Sequence, residues 1–519
     1  MAVHPPSRRG QALAAPAIAS LLAASLAGGC GSGAGTTQAA TAKQVPVDPA
    51  LARRTAGGPN LLVILADDQA QNSFKARYMP QTFRWIVRPG TKFVNGVAAP
   101  PLCCPDRAGF LTGDYPHSSG VFSNHPGYPT LRDKADTLPV WLSRAGYRTA
   151  MIGKYLNHYY GAEGATPAPG FQTWFAQTKP ESYYRYGVSD DGVLRHFGSD
   201  PRDYSTDVFT RHAASFIRAQ AGARHPFFLW LPYNAPHGTR RPGPDCGSHN
   251  AEPKDTAAFD RFRRAPLPRP PSFDEANVSD KPRAIRRLPR ISNHDLARIE
   301  LGWHCTLATM STVDRGVGRL MRTLKRTGQL GRTIVFYLSD NGFYFGEHRI
   351  FSGKQYPYEP GLRVPYAVRV PVRYREAPQP AASGQVVSNE DATATILRYA
   401  RVPPCPASGG CRRIDGRPLQ PLLGGPGGWP TGRGVLAEIK ADQGQYAAIR
   451  TRRWVYVRYD DGERELYDLL ADPQELRNVA GTRAARGIDR RLGMRLSRLR
   501  RCSGARGIAR PTDGRPLCE

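Results

Sequence analysis

The sequence predicts an α/β fold: a large mixed, mostly parallel sheet sandwiched by helices, followed by a small C-terminal α+β subdomain built on an antiparallel sheet. Three observations carry this reading. Continuous apolar runs such as Asn60–Ala66 are what parallel strands buried on both faces look like. Stretches with helix-like apolar spacing, Thr137–Ala145 and Leu296–Arg326, alternate with those runs. After about residue 400 the long runs give way to Gly-rich loops and short strand-like segments.

In chain order, residues 1–30 read as an export signal. Arg8 and Arg9 precede a short apolar stretch over 12–27, and Gly28-Gly29-Cys30 follows. The stretch is too short and too rich in Ala to predict a membrane span. Small residues before Cys30 fit a lipoprotein-type cleavage site, which would leave a lipid anchor on Cys30 and hold the protein at the cell surface; plain secretion is the alternative. Residues 31–58 are small and polar and are expected to form a flexible linker. The main domain is expected over 59–400, and the C-terminal subdomain and tail over 401–519.

Polar residues cluster at the ends of the apolar runs. Asn60–Ala66 ends in Asp67-Asp68, and Thr333–Leu338 ends in Ser339-Asp340-Asn341. Pro226–Leu231 leads to Pro236-His237, and Ala150–Ile152 to Gly153-Lys154. In open α/β sheets, ligands collect outside the carboxyl ends of the strands, so these clusters are expected to share one site. Residues 242–295 are rich in Pro, Arg and Asp without clear periodicity and read as a long surface excursion. Gly434–Ile439, Tyr446–Thr451 and Arg453–Tyr459 read as the short antiparallel strands.

The chain of 519 residues carries a formal net charge of +29, mostly from arginine. A basic surface attracts polyanions, although a composition rich in Arg, Ala, Gly and Pro together also fits genomic base bias. No nucleic-acid-binding signature is visible, so nucleic acid is not an expected partner. Nine cysteines suit an oxidising compartment. Cys405 with Cys411 and Cys502 with Cys518 flank short loops and are plausible disulfides, with Cys246 and Cys305 as a further pair, though spacing alone does not fix connectivity.

The segment Cys103-Cys104-Pro105-Asp106-Arg107, ending in Leu111-Thr112-Gly113, carries the chemistry. Pro105 suits a first helical turn and Gly113 a helix end, which places Cys103 just before the helix, at its positive end, with Arg107 reaching back. A nucleophile there is well placed for an anionic substrate. Cys-x-Pro-x-Arg followed by Leu-Thr-Gly resembles the signature of formylglycine-dependent sulfatases, of the alkaline phosphatase superfamily; Asp106 stands where that family most often has Ser or Ala. The other motifs appear in that family's order, over about residues 59–480.

The resemblance implies an alkaline phosphatase-like fold and a sulfate monoesterase. It implies that a formylglycine-generating enzyme converts Cys103 to formylglycine. One Ca2+ would be held by Asp67, Asp68, Asp340, Asn341 and the modified Cys103, hard oxygen ligands for a hard cation. Arg107, Lys154 and Lys354 would stabilise the sulfate oxygens, and His237 would protonate the leaving alcohol. A histidine that many sulfatases carry two residues after the first lysine is replaced by Leu156, with His158 nearby but out of register. Cys103-Cys104-Pro105, Tyr115-Pro116-His117 and Gly153-Lys154-Tyr155-Leu156-Asn157 resemble the N-acetylglucosamine-6-sulfatase branch, which implies sulfated carbohydrate such as glycosaminoglycan as substrate. The alternatives are a phosphate or phosphonate monoester hydrolase on the same scaffold, or a non-catalytic binder of anionic polysaccharide.

Overall fold

The computed structural model describes residues 45–179, 181–239, 245–406, 410–441, 444–505 and 514–518. Its strands are β1 (Asn60–Ala66), β2 (Thr91–Val97), β3 (Arg148–Gly153), β4 (Thr173–Gln177), β5 (Gly187–Asp190), β6 (Val193–His196), β7 (Phe227–Pro232), β8 (Thr333–Ser339), β9 (Tyr366–Arg369), β10 (Ala382–Ser388), β11 (Gly434–Ala441), β12 (Gly444–Thr451), β13 (Trp454–Tyr459) and β14 (Arg464–Asp468). The helices used below are α1 (Pro49–Thr55), α2 (Cys103–Thr112), α3 (Leu138–Arg144), α4 (Ser205–Ala219), α5 (Asn293–Arg326), α6 (Asn389–Ala400) and α7 (Arg486–Leu499).

Ten strands form one sheet in the order β10-β2-β9-β8-β1-β7-β3-β4-β5-β6. Its middle, β8-β1-β7-β3-β4, is parallel throughout. The reversals lie at β9 and at the outer hairpin β5-β6. Leu61 of β1 faces Phe228 on one side and Ile334 on the other.

Every residue of β1 is buried, because both faces of the sheet are covered. Leu62 and Ile64 share a core with Val208 and Phe209 of α4 and Met310 and Val317 of α5. Leu61, Val63 and Leu65 share the opposite core with Phe110 of α2, Trp141 of α3 and Ile396 of α6. Each such aliphatic side chain contributes about 1.5–3 kcal/mol on full burial, so alternation with polar residues is not tolerated along this strand.

A second, antiparallel sheet runs β11-β12-β13-β14. Leu492, Leu496 and Leu499 of α7 pack with Ile449, Val455 and Tyr456 from it. The fourth strand, β14, is the segment Glu465-Leu466-Tyr467-Asp468. Its Glu465 is buried and accepts hydrogen bonds from Tyr358, Tyr459 and Tyr467 at 2.8, 2.6 and 2.5 Å.

Two expectations need correction. Residues 31–58 were expected to be linker, yet Pro49–Thr55 is a helix. Asp48 caps it, accepting from the backbone of Ala50 and Leu51, and Thr55 donates to Ala145 O at 2.5 Å. Asp-Pro is a helix-start signal that the small polar composition masked. The excursion over 242–295 contains short helices at Thr256–Asp260 and Arg283–Arg286. The disulfide Cys246–Cys305 fastens it to α5, and Cys405–Cys411 and Cys502–Cys518 are also bonded. The export segment and Cys30 lie outside the described residues. No described helix is long and apolar enough to cross a membrane.

Candidate active site

Four neighbouring strands deliver their polar ends to one place. β1 supplies Asp67 and Asp68, β8 supplies Asp340 and Asn341, β3 leads into Lys154, and β7 leads to His237. Backbone bonds extend the sheet past its strands and fix the spacing: Asp67 N donates to Ala235 O at 3.1 Å and Asp340 N to Ala66 O at 3.2 Å. Gly153 explains why glycine precedes the lysine. Its φ is +131°, and a Cβ there would lie 2.0 Å from Pro232 O. The next amide, Lys154 N, bonds that same oxygen at 2.8 Å.

Helix α2 points its N-terminus at this cluster. Leu102 is the N-cap, so Cys103 is the first residue inside the helix rather than the residue before it, and Pro105 is the third. Gly113 ends the helix in the left-handed region, φ +74°, as expected. Cys103 is 1% exposed and, with Cys104, is a free thiol. Its Sγ lies 3.4 Å from Asp67 Oδ1, 3.9 Å from Asp68 Oδ1 and 2.8 Å from the Lys354 ammonium.

The charges form one buried network. Arg107 bonds Asp340 at 2.7 Å, Asp67 at 3.2 Å and the carbonyl of Lys154 at 2.6 Å. Lys154 bonds Asp67 at 2.5 Å, and Lys354 also bonds Asp68. His237 Nε2 is 3.8 Å from Asp68, and its Nδ1 is 2.6 Å from Gly238 O. Asp67, Asp68, Cys103 and His237 hold their ligand atoms within 4.8 Å of one another. All nine residues singled out in the sequence therefore converge.

Electrostatics sort the groups. Burial would raise Asp67, but Lys154, His237, Arg107 and Lys354 hold it well below the usual carboxylate range. Burial and Asp67 push Asp340 up to about 6, against Arg107. Burial and Asp67 push the Cys103 thiol well up, so it is a poor thiolate. Burial and Lys154 lower His237. An arriving anion would raise it again. Asn341 donates to Asp68 at 2.6 Å, while its own Oδ1 is buried without a hydrogen-bond partner. An orphaned amide oxygen beside three carboxylates is a donor set that fits a hard divalent cation.

Residues 59–402 match the family described as Sulfatase, and 346–502 match the C-terminal region described as N-sulphoglucosamine sulphohydrolase, C-terminal. The chain belongs to the sulfatase family. An extracellular sulfatase homologue of Caenorhabditis elegans is 32% identical over 371 residues, which are 70% of this chain and 49% of that protein, so the chain spans about half of that relative's length. Human N-acetylglucosamine-6-sulfatase is 28% identical over 495 residues, covering 86% of this chain and 85% of its own. Among solved structures, one in complex with its substrate D-glucosamine-2-N,6-O-disulfate shares the fold, with TM-score 0.70 and 24% identity over 85% of this chain and 97% of that one.

Sequence motifs missed three residues around this cluster. Glu181 bonds Lys154 at 3.3 Å; burial opposes its charge, but Lys154 and Lys179 hold it down to about 2. It lies in an irregular stretch with no motif to flag it. Asn124 accepts from Cys104 N at 2.8 Å across a Gly- and Pro-rich loop. Behind α2, Asn389 donates to Asp106 at 2.7 Å. Burial and Glu390 push Asp106 well up, which favours its neutral form. Leu156 is a buried core residue, and His158 hydrogen-bonds His125 at 2.8 Å. Beside Asp68 opens a cavity of about 300 Å3 walled by Phe343, Phe345 and Phe351, with Arg298 at its edge.

Proposed function

We propose that the chain hydrolyses sulfate monoesters of carbohydrate, with 6-sulfated N-acetylglucosamine units of glycosaminoglycans as the substrate class. The observation that carries the reading is the convergence of Arg107, Lys154 and Lys354 on Cys103 at the N-terminus of α2. Three fixed cations and a helix N-terminus suit a sulfate group. The likeness to N-acetylglucosamine-6-sulfatase over 86% of this chain supports the sugar.

Asp67, Asp68, Asp340 and Asn341, with residue 103, would hold one Ca2+. Formylglycine at position 103 would supply a hydrated aldehyde as nucleophile, and calcium would supply the charge that favours its ionisation. Lys154 and Lys354 orient the sulfate and neutralise charge on its oxygens as the S–O bond breaks. Arg107 fixes Asp67 and Asp340 relative to α2. His237, raised by the bound anion, gives its proton to the departing sugar oxygen. The aromatic walls beside Asp68 take a sugar ring and exclude water from it.

The same reading makes the protein an exported one. The basic and apolar leader ending at Cys30 and three disulfides support export. A lipid anchor on Cys30 and a formylglycine-generating enzyme as maturation partner belong to this proposal.

The test is peptide mass spectrometry across Cys103, on protein from its native host, followed by turnover of N-acetylglucosamine 6-sulfate and 6-phosphate. A formylglycine mass and preference for the sulfate are expected. An unmodified thiol in exported protein, or preference for the phosphate, overturns the proposal.

A further inference from the structure

Helix α7 carries a run of unpaired positive charge. Helix α7 and the residues after it read Arg486-Gly-Ile-Asp-Arg-Arg-Leu-Gly-Met-Arg-Leu-Ser-Arg-Leu-Arg-Arg501. Its leucines face the antiparallel sheet, so its arginines are turned outward. Arg486, Arg490, Arg491 and Arg498 are exposed, and their side chains have no hydrogen-bond or ion-pair partner among the described residues. An isolated surface arginine is ordinary. Four unpaired ones on one helix, with more beside them, are a standing positive field.

Two grooves run along this face and meet at Arg501. The first, of about 660 Å3, lies between α7 and the strands, where Arg458 and Arg464 add to the helix. The second, of about 590 Å3, takes in Arg498, Arg500, Arg132 and His117. The one acid lining either groove among the described residues is Asp489, which is taken up by Arg464 at 3.5 Å. Neither groove is lined by Phe, Tyr or Trp, so there is no platform on which a nucleic-acid base could stack. The one large apolar side chain lining them is Met494, too little for insertion into a membrane.

The second groove and the helix bearing Cys103 are linked by one stretch of chain. His117 lies five residues past the end of α2, in the short helix Pro116–Ser119, and bonds Glu438 of β11 at 2.9 Å. The loop from there to Arg132 carries Asn124, whose Oδ1 holds the amide of Cys104. One segment of chain therefore borders both the nucleophile and the basic groove.

We infer that these arginine grooves are a second binding site, for an extended sulfated polysaccharide chain, which holds the polymer while one of its sugars enters the catalytic pocket. The inference rests on the sulfated-carbohydrate reading above. Guanidinium forks pair with sulfate and carboxylate groups in two-point contacts, and an array of them reads charge spacing rather than sugar identity.

The test uses the full chain and the triple substitution Arg486→Gln, Arg490→Gln, Arg498→Gln, which removes side chains without partners and leaves the core alone. Binding is measured with a heparin oligosaccharide across a salt series, and with a double-stranded DNA of equal charge. Turnover is measured on N-acetylglucosamine 6-sulfate and on the polymer. The expected result is about tenfold or more weaker heparin binding and higher polymer KM in the variant, with the monosaccharide kcat and KM unchanged. Unchanged heparin affinity in the variant overturns the inference. So does tighter binding of DNA than of heparin by the unmodified chain. Loss of heparin binding in the variant, in a protein that turns over neither sulfate, would sink the catalytic proposal and leave this site standing.

Discussion

At the scale of single residues, the site is a balance of buried charges that cannot be altered one at a time. Lys154 neutralises Asp67, and Lys354 neutralises Asp68 and lies 2.8 Å from Cys103 Sγ. Lys154→Ala and Lys354→Ala are expected to lower kcat for a sulfate ester by about 100- to 1,000-fold, the usual scale for removing one fixed donor from a transition state; steady-state kinetics on a small ester read this directly. Gly153→Ala is expected to cost about 1–3 kcal/mol or more of stability, since its Cβ meets the Pro232 carbonyl, and denaturant unfolding measures it. These residues were legible because strand ends and short motifs mark them in sequence. Glu181, Asn124 and Asn389 were not, because each owes its role to distant chain segments brought together by folding, and nothing local to them differs from an ordinary loop or helix.

At the scale of elements, the pairing of α2 with α6 sets how the nucleophile helix sits. Asn389 binds Asp106, and a Cβ on Gly109 would fall 2.6 Å from Glu390 Oε1. Burial pushes Glu390, whose two carboxylate oxygens have no hydrogen-bond partner among the described residues, up to about 8. A folded-state value raised above the ordinary 4.5 means that the protonated form favours folding. That contribution is fully present below about pH 4.5 and is lost as pH rises through about 8. Glu390→Gln is therefore expected to gain stability relative to the parent at pH 8 and not at pH 4, by about 1–3 kcal/mol, read from urea midpoints. The disulfide Cys246–Cys305 closes 59 residues of chain. Its removal by Cys246→Ser with Cys305→Ser is expected to cost about 2–4 kcal/mol and to loosen the wall of the pocket beside Asp68. The parallel strands were readable as unbroken apolar runs because both faces are covered. Helix α1 and the short helices of the excursion were not, since a few turns held by caps and a cross-link leave no periodicity to detect.

At the scale of the whole molecule, Asp67, Asp68, Asp340 and Asn341 hang between β1 and β8, the middle of the large sheet. A cation held there would brace the sheet as well as the nucleophile. Calcium at about 100 times its Kd is expected to add about 2.7 kcal/mol, raising Tm by a few degrees. Chelation should reverse the shift in calorimetry, and Asp340→Asn should abolish it. No change in Tm with calcium would remove the ion from the account.

Cys103, in the first turn of α2, is 1% exposed and lies against Asp67 and Asp68 at the end of β1 and against Lys354. Under the proposal that an enzyme oxidises this side chain, such burial sets an order of events: the modifier would have to reach residue 103 before the chain closes around it. A chain that folded first would keep its thiol out of reach, so the yield of converted protein would depend on the rate of folding as well as on the amount of modifier.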